Sequence, residues 1–196
     1  ILQVQARYDE ARRACQPLTR LAAAHVLLGC LGDIAGVTGQ SVKSRELLRQ
    51  VLSDTTLSGR ERIWIATILA ETATRTGAIR EAEESFAEAF KVGIKDQYLL
   101  GAYADFLLDQ RRYQDVMSLL RSETRADGLL LRLALAEQTL KLPTFQNHTD
   151  DLAARFAAGR DRGTTVHVRE EARFTLTLQH DAHRALDPER HDARAH

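Results

Sequence analysis

The side chains best suited to chemistry gather late in the chain: His167, Glu170, Glu171, His180, His183, His191 and His196. His167 and Glu171 stand four apart and His180 and His183 three apart, spacings that place two ligands on one face of a helix, as a zinc or other transition-metal site needs. The stronger H-E-x-x-H arrangement is absent. So are a G-x-S-x-G nucleophile turn and a glycine loop able to cradle phosphate, and "GVTG" at Gly36–Gly39 reads as a turn. Histidines of this kind are more often exposed polar positions than ligands. The sequence therefore predicts no catalytic residue, no resident metal and no cofactor, with a metal-binding or enzymatic use of the C-terminal histidines and Glu170 or Glu171 as the rival reading.

The two cysteines, Cys15 and Cys30, form no C-x-x-C pair and cannot hold zinc without help. If the turn between their helices falls at Ala22–Ala24, they lie at matched heights and within bridging range. If the second helix starts at Pro17, a residue favoured in a first helical turn, Cys30 lies roughly 18 Å further along the axis and no disulfide forms. A disulfide would imply a periplasmic or otherwise exported protein, and its absence a cytoplasmic one. The chain opens on Ile1 rather than Met, which leaves room upstream for an export signal.

The elements that carry these residues are helices. Ala, Leu, Arg and Glu dominate, and Pro occurs only at Pro17, Pro143 and Pro188. The best alternating run, "TTVHVRE" at Thr164–Glu170, is short and leads straight into a helical pattern. Lys plus Arg equals Asp plus Glu at 27 each, so no general charge draws the chain to nucleic acid or an anionic membrane. The longest uncharged stretch, Leu21 to Gly32, falls well short of the roughly 20 apolar residues of a membrane span.

The helices repeat. Around the turn at Gly77, Ile65, Leu69, Ala70 and Ala73 share one face of the helix before it, and Ile79, Ala82, Phe86 and Ala89 one face of the helix after it. A shift of 34 residues turns Ile79 into Tyr113, Ala82 into Val116, Phe86 into Leu120, Leu69 into Tyr103 and Ala70 into Ala104. Ser41, Ser44, Leu48 and Val51 make an earlier second-helix face, and Tyr8, Ala11 and Cys15 one before that. The starting residues Tyr8, Ser41, Ile79 and Tyr113 are 33, 38 and 34 apart, with the extra residues taken up by the turn-rich "SDTTLSG". A hairpin this small cannot bury its apolar face alone, so each must rest on its neighbours.

From Arg62 to Leu120 the chain resembles the tetratricopeptide repeat family, through Leu69, Ala70, Gly77, Ala82, Phe86 and Ala89, then Tyr103, Ala104, Tyr113 and Leu120. It departs from the family at Ala66, where a bulky aromatic is usual, at Arg111 in place of the turn glycine, and at Glu123 in place of a small residue. Further on, "LLLRLALAEQTLKL" reads as a first helix stopped at Pro143, and "NHTDDLAARFAAGR" as its partner with Leu152 and Phe156 inward. "VREEARFTLTLQHDAHRAL" reads as one more hairpin, with Ala172, Leu176 and Leu178 apolar and Ala185 and Leu186 after its turn. The wording "REEARFTLTL" is similar to bacterial tetratricopeptide-like proteins of unassigned function. The resemblance implies an all-α fold, a right-handed α-α superhelix of four to five hairpins. It would form a single domain over residues 1–187, with best matches at 62–93 and 97–125 and a polar tail at 188–196.

The resemblance also implies a binding surface, the concave groove lined by the first helix of each hairpin. One step after the recurrent small residues Gly32, Ala70, Ala104 and Ala136 stand Asp33, Glu71, Asp105 and Glu137, an acidic ladder along that groove. Trp64, Thr67, Arg75, Tyr98, Leu108 and Asp109 are expected on the same surface. The implied role is a non-catalytic scaffold or adaptor that takes a basic or mixed peptide segment of a partner protein. The cluster of Lys, Arg and Asn with which some members hold a terminal carboxylate is missing. The plainer alternatives are charges that merely solvate helices, and a purely structural homodimer made through the end helices.

Overall fold

The computed structural model describes residues 2, 3, 5–21, 23–163 and 168–186. Among these residues every regular element is an α-helix and no strand is present. Residues 164–167, where the alternating run begins, and the tail 188–196 lie outside the described residues; Val168 already opens a helix. The chain divides into two compact units, Ile1–Ala102 and Tyr103–His196.

The first unit contains α1 (Tyr8–Cys15), α2 (Leu18–Leu21), α3 (Ala24–Val37), α4 (Ser41–Leu52), α5 (Gly59–Arg75), α6 (Ile79–Lys91) and the opening turns of α7 (Gln97–Asp109). Helices α3 and α4 pair, α5 and α6 pair, and α5 also packs on both α3 and α4. The faces anticipated from periodicity are the buried ones: Ser44, Leu48 and Val51 on α4, Ala82, Phe86 and Ala89 on α6, and Ile65, Leu69, Ala70 and Ala73 on α5. The α5–α6 hairpin therefore rests on its predecessor, and Leu48, Val51 and Leu57 join Ile65, Ile68 and Leu69 in one cluster. The approach of α3 to α5 is close enough to require glycine. A Cβ added at Gly29 would sit 2.4 Å from Ile65 Cδ1 and 2.7 Å from the Trp64 ring.

Helix α5 starts where its cap dictates. The Ser58 hydroxyl accepts from the Glu61 amide at 3.3 Å while the Glu61 carboxylate accepts from the Ser58 amide at 2.8 Å, a reciprocal box that satisfies two donors at once. His25 Nε2 lies 2.8 Å from the other Glu61 oxygen and ties the start of α3 to the same cap. Hydrogen bonds from Ser58 and then His25 hold the Glu61 carboxyl down at about 2.

The second unit contains the rest of α7, then α8 (Tyr113–Leu120), α9 (Asp127–Leu140), α10 (Phe145–Asp161), α11 (Val168–Thr177) and α12 (Ala182–Ala185). Helix α9 packs on α8, α10 and α11, and α11 on α12. Val116 and Leu120 face inward from α8, as the 34-residue shift requires, and Leu152 and Phe156 from α10. Phe156 meets Phe174 of α11 with ring centroids 5.4 Å apart. The last hairpin departs from its expected pattern: Leu178 and Ala185 are buried, but Leu176 is 52% exposed and Leu186 84%. Leu176 falls on the outer side of α11, and Leu186 follows the last residue of α12.

The turns closing α3, α5, α7 and α9 share one geometry. Gly39, Gly77, Arg111 and Lys141 all adopt left-handed backbone, with φ of 82°, 72°, 57° and 54°. In each turn the next amide reaches back five residues. Gln40 donates to Ala35 O, Ala78 to Ala73 O, Arg112 to Leu107 O and Leu142 to Glu137 O, at 2.8–3.0 Å. This is the Schellman pattern, which satisfies a carbonyl that the helix end would otherwise leave without a donor. The physical repeat is thus this stop, and its occurrences fall 38, 34 and 30 residues apart. Gly77→Ala is expected to cost about 1 kcal/mol and Arg111→Gly to gain on the order of 0.5–1 kcal/mol, since an L side chain strains left-handed backbone. Urea unfolding of the two variants checks the opposite signs.

Candidate functional site

Residues anticipated on the first-helix surface come together in two groups, one in each unit. In the first unit the Tyr98 hydroxyl donates to the Glu71 carboxylate. Tyr98 remains 43% exposed, and partial desolvation, then the Glu71 charge, push the phenol far above its usual range. Asp33 on α3 contributes to the same field. Burial raises its carboxyl pKa, and a hydrogen bond from Gln3 and the charge of Arg75 offset part of the rise. Arg75 donates to Thr72 Oγ1 at 3.0 Å, and both side chains fill the space left by the missing Cβ of Gly36. Trp64 is half-buried and packs against the Leu48–Ile68 cluster, its ring seated on Gly29.

In the second unit Asp105 is the hub. One carboxylate oxygen accepts from Arg132 of α9 and the other from Arg173 of α11 at 2.7 Å. Arg132 also donates to the Gly128 carbonyl at 2.7 Å, which fixes its guanidinium. Asp109, one turn further along α7, is exposed to solvent; partial desolvation and then the Asp105 charge raise its carboxyl, with Arg173 opposing both. Leu108 is half-buried beside them.

Two anticipated residues are placed elsewhere. Thr67 is 0% exposed and donates to the Ile63 carbonyl at 2.7 Å, so it belongs to the core of α5. Glu137 is 1% exposed and accepts from Thr144 Oγ1 at 2.6 Å, with His148 Nδ1 at 2.8 Å; it turns inward to its own hairpin partner α10. The reason is register. The shift of 34 carries Asp105 to Thr139, so Glu137 falls two residues early, about 200° round the helix and on its opposite side.

The arginines on Asp105 were not anticipated, yet the sequence contains their signal. Trp64, Tyr98 and Arg132 are 34 apart, and Arg132 meets the acid 27 residues before it just as Tyr98 meets Glu71. Glu71 and Asp105, each within its own unit, therefore already have donors from following helices in place.

Among the described residues no group of three or more His, Cys, Asp or Glu side chains is placed to hold a metal. His180 occupies a left-handed turn and His183 sits beyond it in α12, so they do not share one helix face. Glu171 is in an ion pair with Arg160, and His167, His191 and His196 lie outside the described residues. Two concavities among the described residues are open and shallow, one along Arg49, Gly77–Glu81 and Glu84 and one along Arg111–Asp115 and Leu140. No described helix is long and apolar enough to cross a membrane.

Cys15 and Cys30 are joined in a disulfide with Cα atoms 6.2 Å apart. Helix α3 begins at Ala24 and α2 is a separate short helix after Pro17, so the matched-height alternative holds. Compared with protein-family models, curated proteins and solved structures, the chain matches none.

The raised Asp33 gives a pH test. A carboxyl whose folded pKa lies above its ordinary 3.8 favours folding when protonated and penalises it once the pH rises through the folded value. Asp33→Asn is expected to unfold at higher urea than the parent at pH 7, with the difference closing below the unfolded pKa of 3.8.

Proposed function

We propose that the chain is a non-catalytic scaffold of tetratricopeptide type, its hairpins wound as a right-handed α-α superhelix, that holds a peptide segment of a partner protein along its first helices. Support for the repeat reading comes from the recurrent left-handed stop and from packing in which α5 touches both helices of the hairpin before it. The observation that carries the binding reading is that half-buried Asp33 keeps a carboxylate where burial opposes its charge, while Asp109 stands exposed to solvent. A core position of that kind would gain stability by losing its charge, whereas a binding position retains it for a partner. The segment that suits such groups is basic or of mixed charge, with an apolar or aromatic side chain to lie against exposed Tyr98.

Affinity capture from native extract, read by mass spectrometry, tests this. The parent chain and an Arg80→Ala/Glu84→Ala control, which removes an exposed ion pair on α6, are expected to retain the same partner. A Tyr98→Ala/Asp109→Lys variant with unchanged helicity is expected to lose it by at least about tenfold in yield, the equivalent of 1.4 kcal/mol. Equal capture by all three overturns the reading.

We further propose that the protein matures in an oxidising compartment, a reading supported by the Cys15–Cys30 disulfide. Alkylation of thiols in intact cells, before any lysis, is expected to leave both cysteines unlabelled; labelling of both would refute it.

A further inference from the structure

We infer that the Cys15–Cys30 disulfide is a redox latch that keeps α1 and α2 as a detachable cover on the flank of α3. The cover is held by little else. The buried side chains of α1 are Ala11 and Cys15, both small, and with Ile34 they form a cluster separate from the Leu48–Ile68 core. Tyr8, Leu18, Leu27 and Leu31 pack against that cluster only partly buried. Helix α1 has eight residues and no side-chain cap at its start, and α2 has four. Helices this short do not persist in water on their own. Once released, the cover has no structure of its own to hold it in place. What it protects is apolar: Leu27, Leu31 and Ile34 of α3.

The step needs a dithiol reductant. Its thiolate attacks the sulfur of Cys30, the more exposed partner, and Cys15 leaves as a thiolate. The reductant's second thiol then displaces Cys30 from the mixed disulfide, so two protein thiols form and the dithiol is oxidised to its cyclic disulfide. The bridge spans 15 residues. Losing a closed loop of that size favours the open cover by on the order of 100-fold.

Hydrogen exchange read by mass spectrometry on the full chain, with and without dithiothreitol, tests the latch. Amides of α1 and of the first half of α3 are expected to exchange ten- to about a hundredfold faster after reduction, while those of α5 and α6 keep their rates. An environment-sensitive dye is expected to bind only the reduced protein. The Cys15→Ala/Cys30→Ala variant is expected to reproduce both effects without reductant. Unchanged α1 exchange would show that packing alone holds the cover. An equal acceleration in α5 and α6 would show a general loss of stability. Either result overturns the latch.

Discussion

Four helices of this chain end in the same way, and the rest of the fold depends on that stop. A helix leaves its last carbonyls without donors. In α3, α5, α7 and α9 one left-handed residue lets the next amide turn back and satisfy a carbonyl five residues earlier. The shared backbone geometry ends each of these helices on one residue and lets the chain reverse into a second helix. That is why a face of small and bulky residues spaced by three and four can recur and still find its neighbour. Glycine takes the position at Gly39 and Gly77. Arg111 and Lys141 take it against their own steric preference, so the stop matters more to these hairpins than the identity of the residue that makes it.

Between hairpins, apolar burial supplies the energy and polar pairs set the register. Phe86, Leu48, Ile65 and Ile68 are almost fully covered, and each such side chain contributes on the order of 2 kcal/mol relative to exposure. Arg45 and Arg49 of α4 cross to Glu81 of the next hairpin, at 2.7 and 2.5 Å, while Arg62 and Glu88, at 3.3 Å, join α5 to α6 within one hairpin. Several of these groups remain in contact with water, where an ion pair is worth about 1 kcal/mol or less. Such pairs add little to the total, but they oppose a slip of α6 along α4. The glycine flank of α3 works alongside them, since any side chain at Gly29 would collide with Ile65 and Trp64.

What was legible in the sequence follows from what is local. The buried faces of α4, α5, α6 and α8 could be read because helical periodicity is a property of a few consecutive residues, and the Gly77 turn because only one residue type adopts its backbone without strain. The start of α3 was ambiguous for the same reason: Pro17 is a good first-turn residue, and it does precede a helix, but that helix is the four-residue α2. The outward Leu176 and Leu186 escaped a reading that assumed every apolar residue of a periodic set has a neighbour. Glu137 was misplaced because a repeat was anchored on a small residue, Ala136, rather than on the helix register that Tyr98 and Arg132 share. Two residues are enough to turn a side chain from one side of a helix to the other.

The electrostatics of the first-helix surface also differ from a simple count of carboxylates. A row of acids suggests a negative surface, but Asp105 already holds Arg132 and Arg173, and Glu71 holds the Tyr98 hydroxyl. A cation arriving at Asp105 must compete with two guanidinium groups already in place, so little binding energy is available there. Asp33 is in the opposite position. Burial disfavours its ionised form, and a hydrogen bond from Gln3 and the charge of Arg75 relieve only part of that cost. An added positive charge beside it removes a penalty that the folded chain bears without it, so its attraction there exceeds what a solvent-exposed carboxylate offers. On these physical grounds the degree to which a carboxylate is left unrelieved of its burial cost, rather than the number of carboxylates, decides where an added positive charge is most favourable.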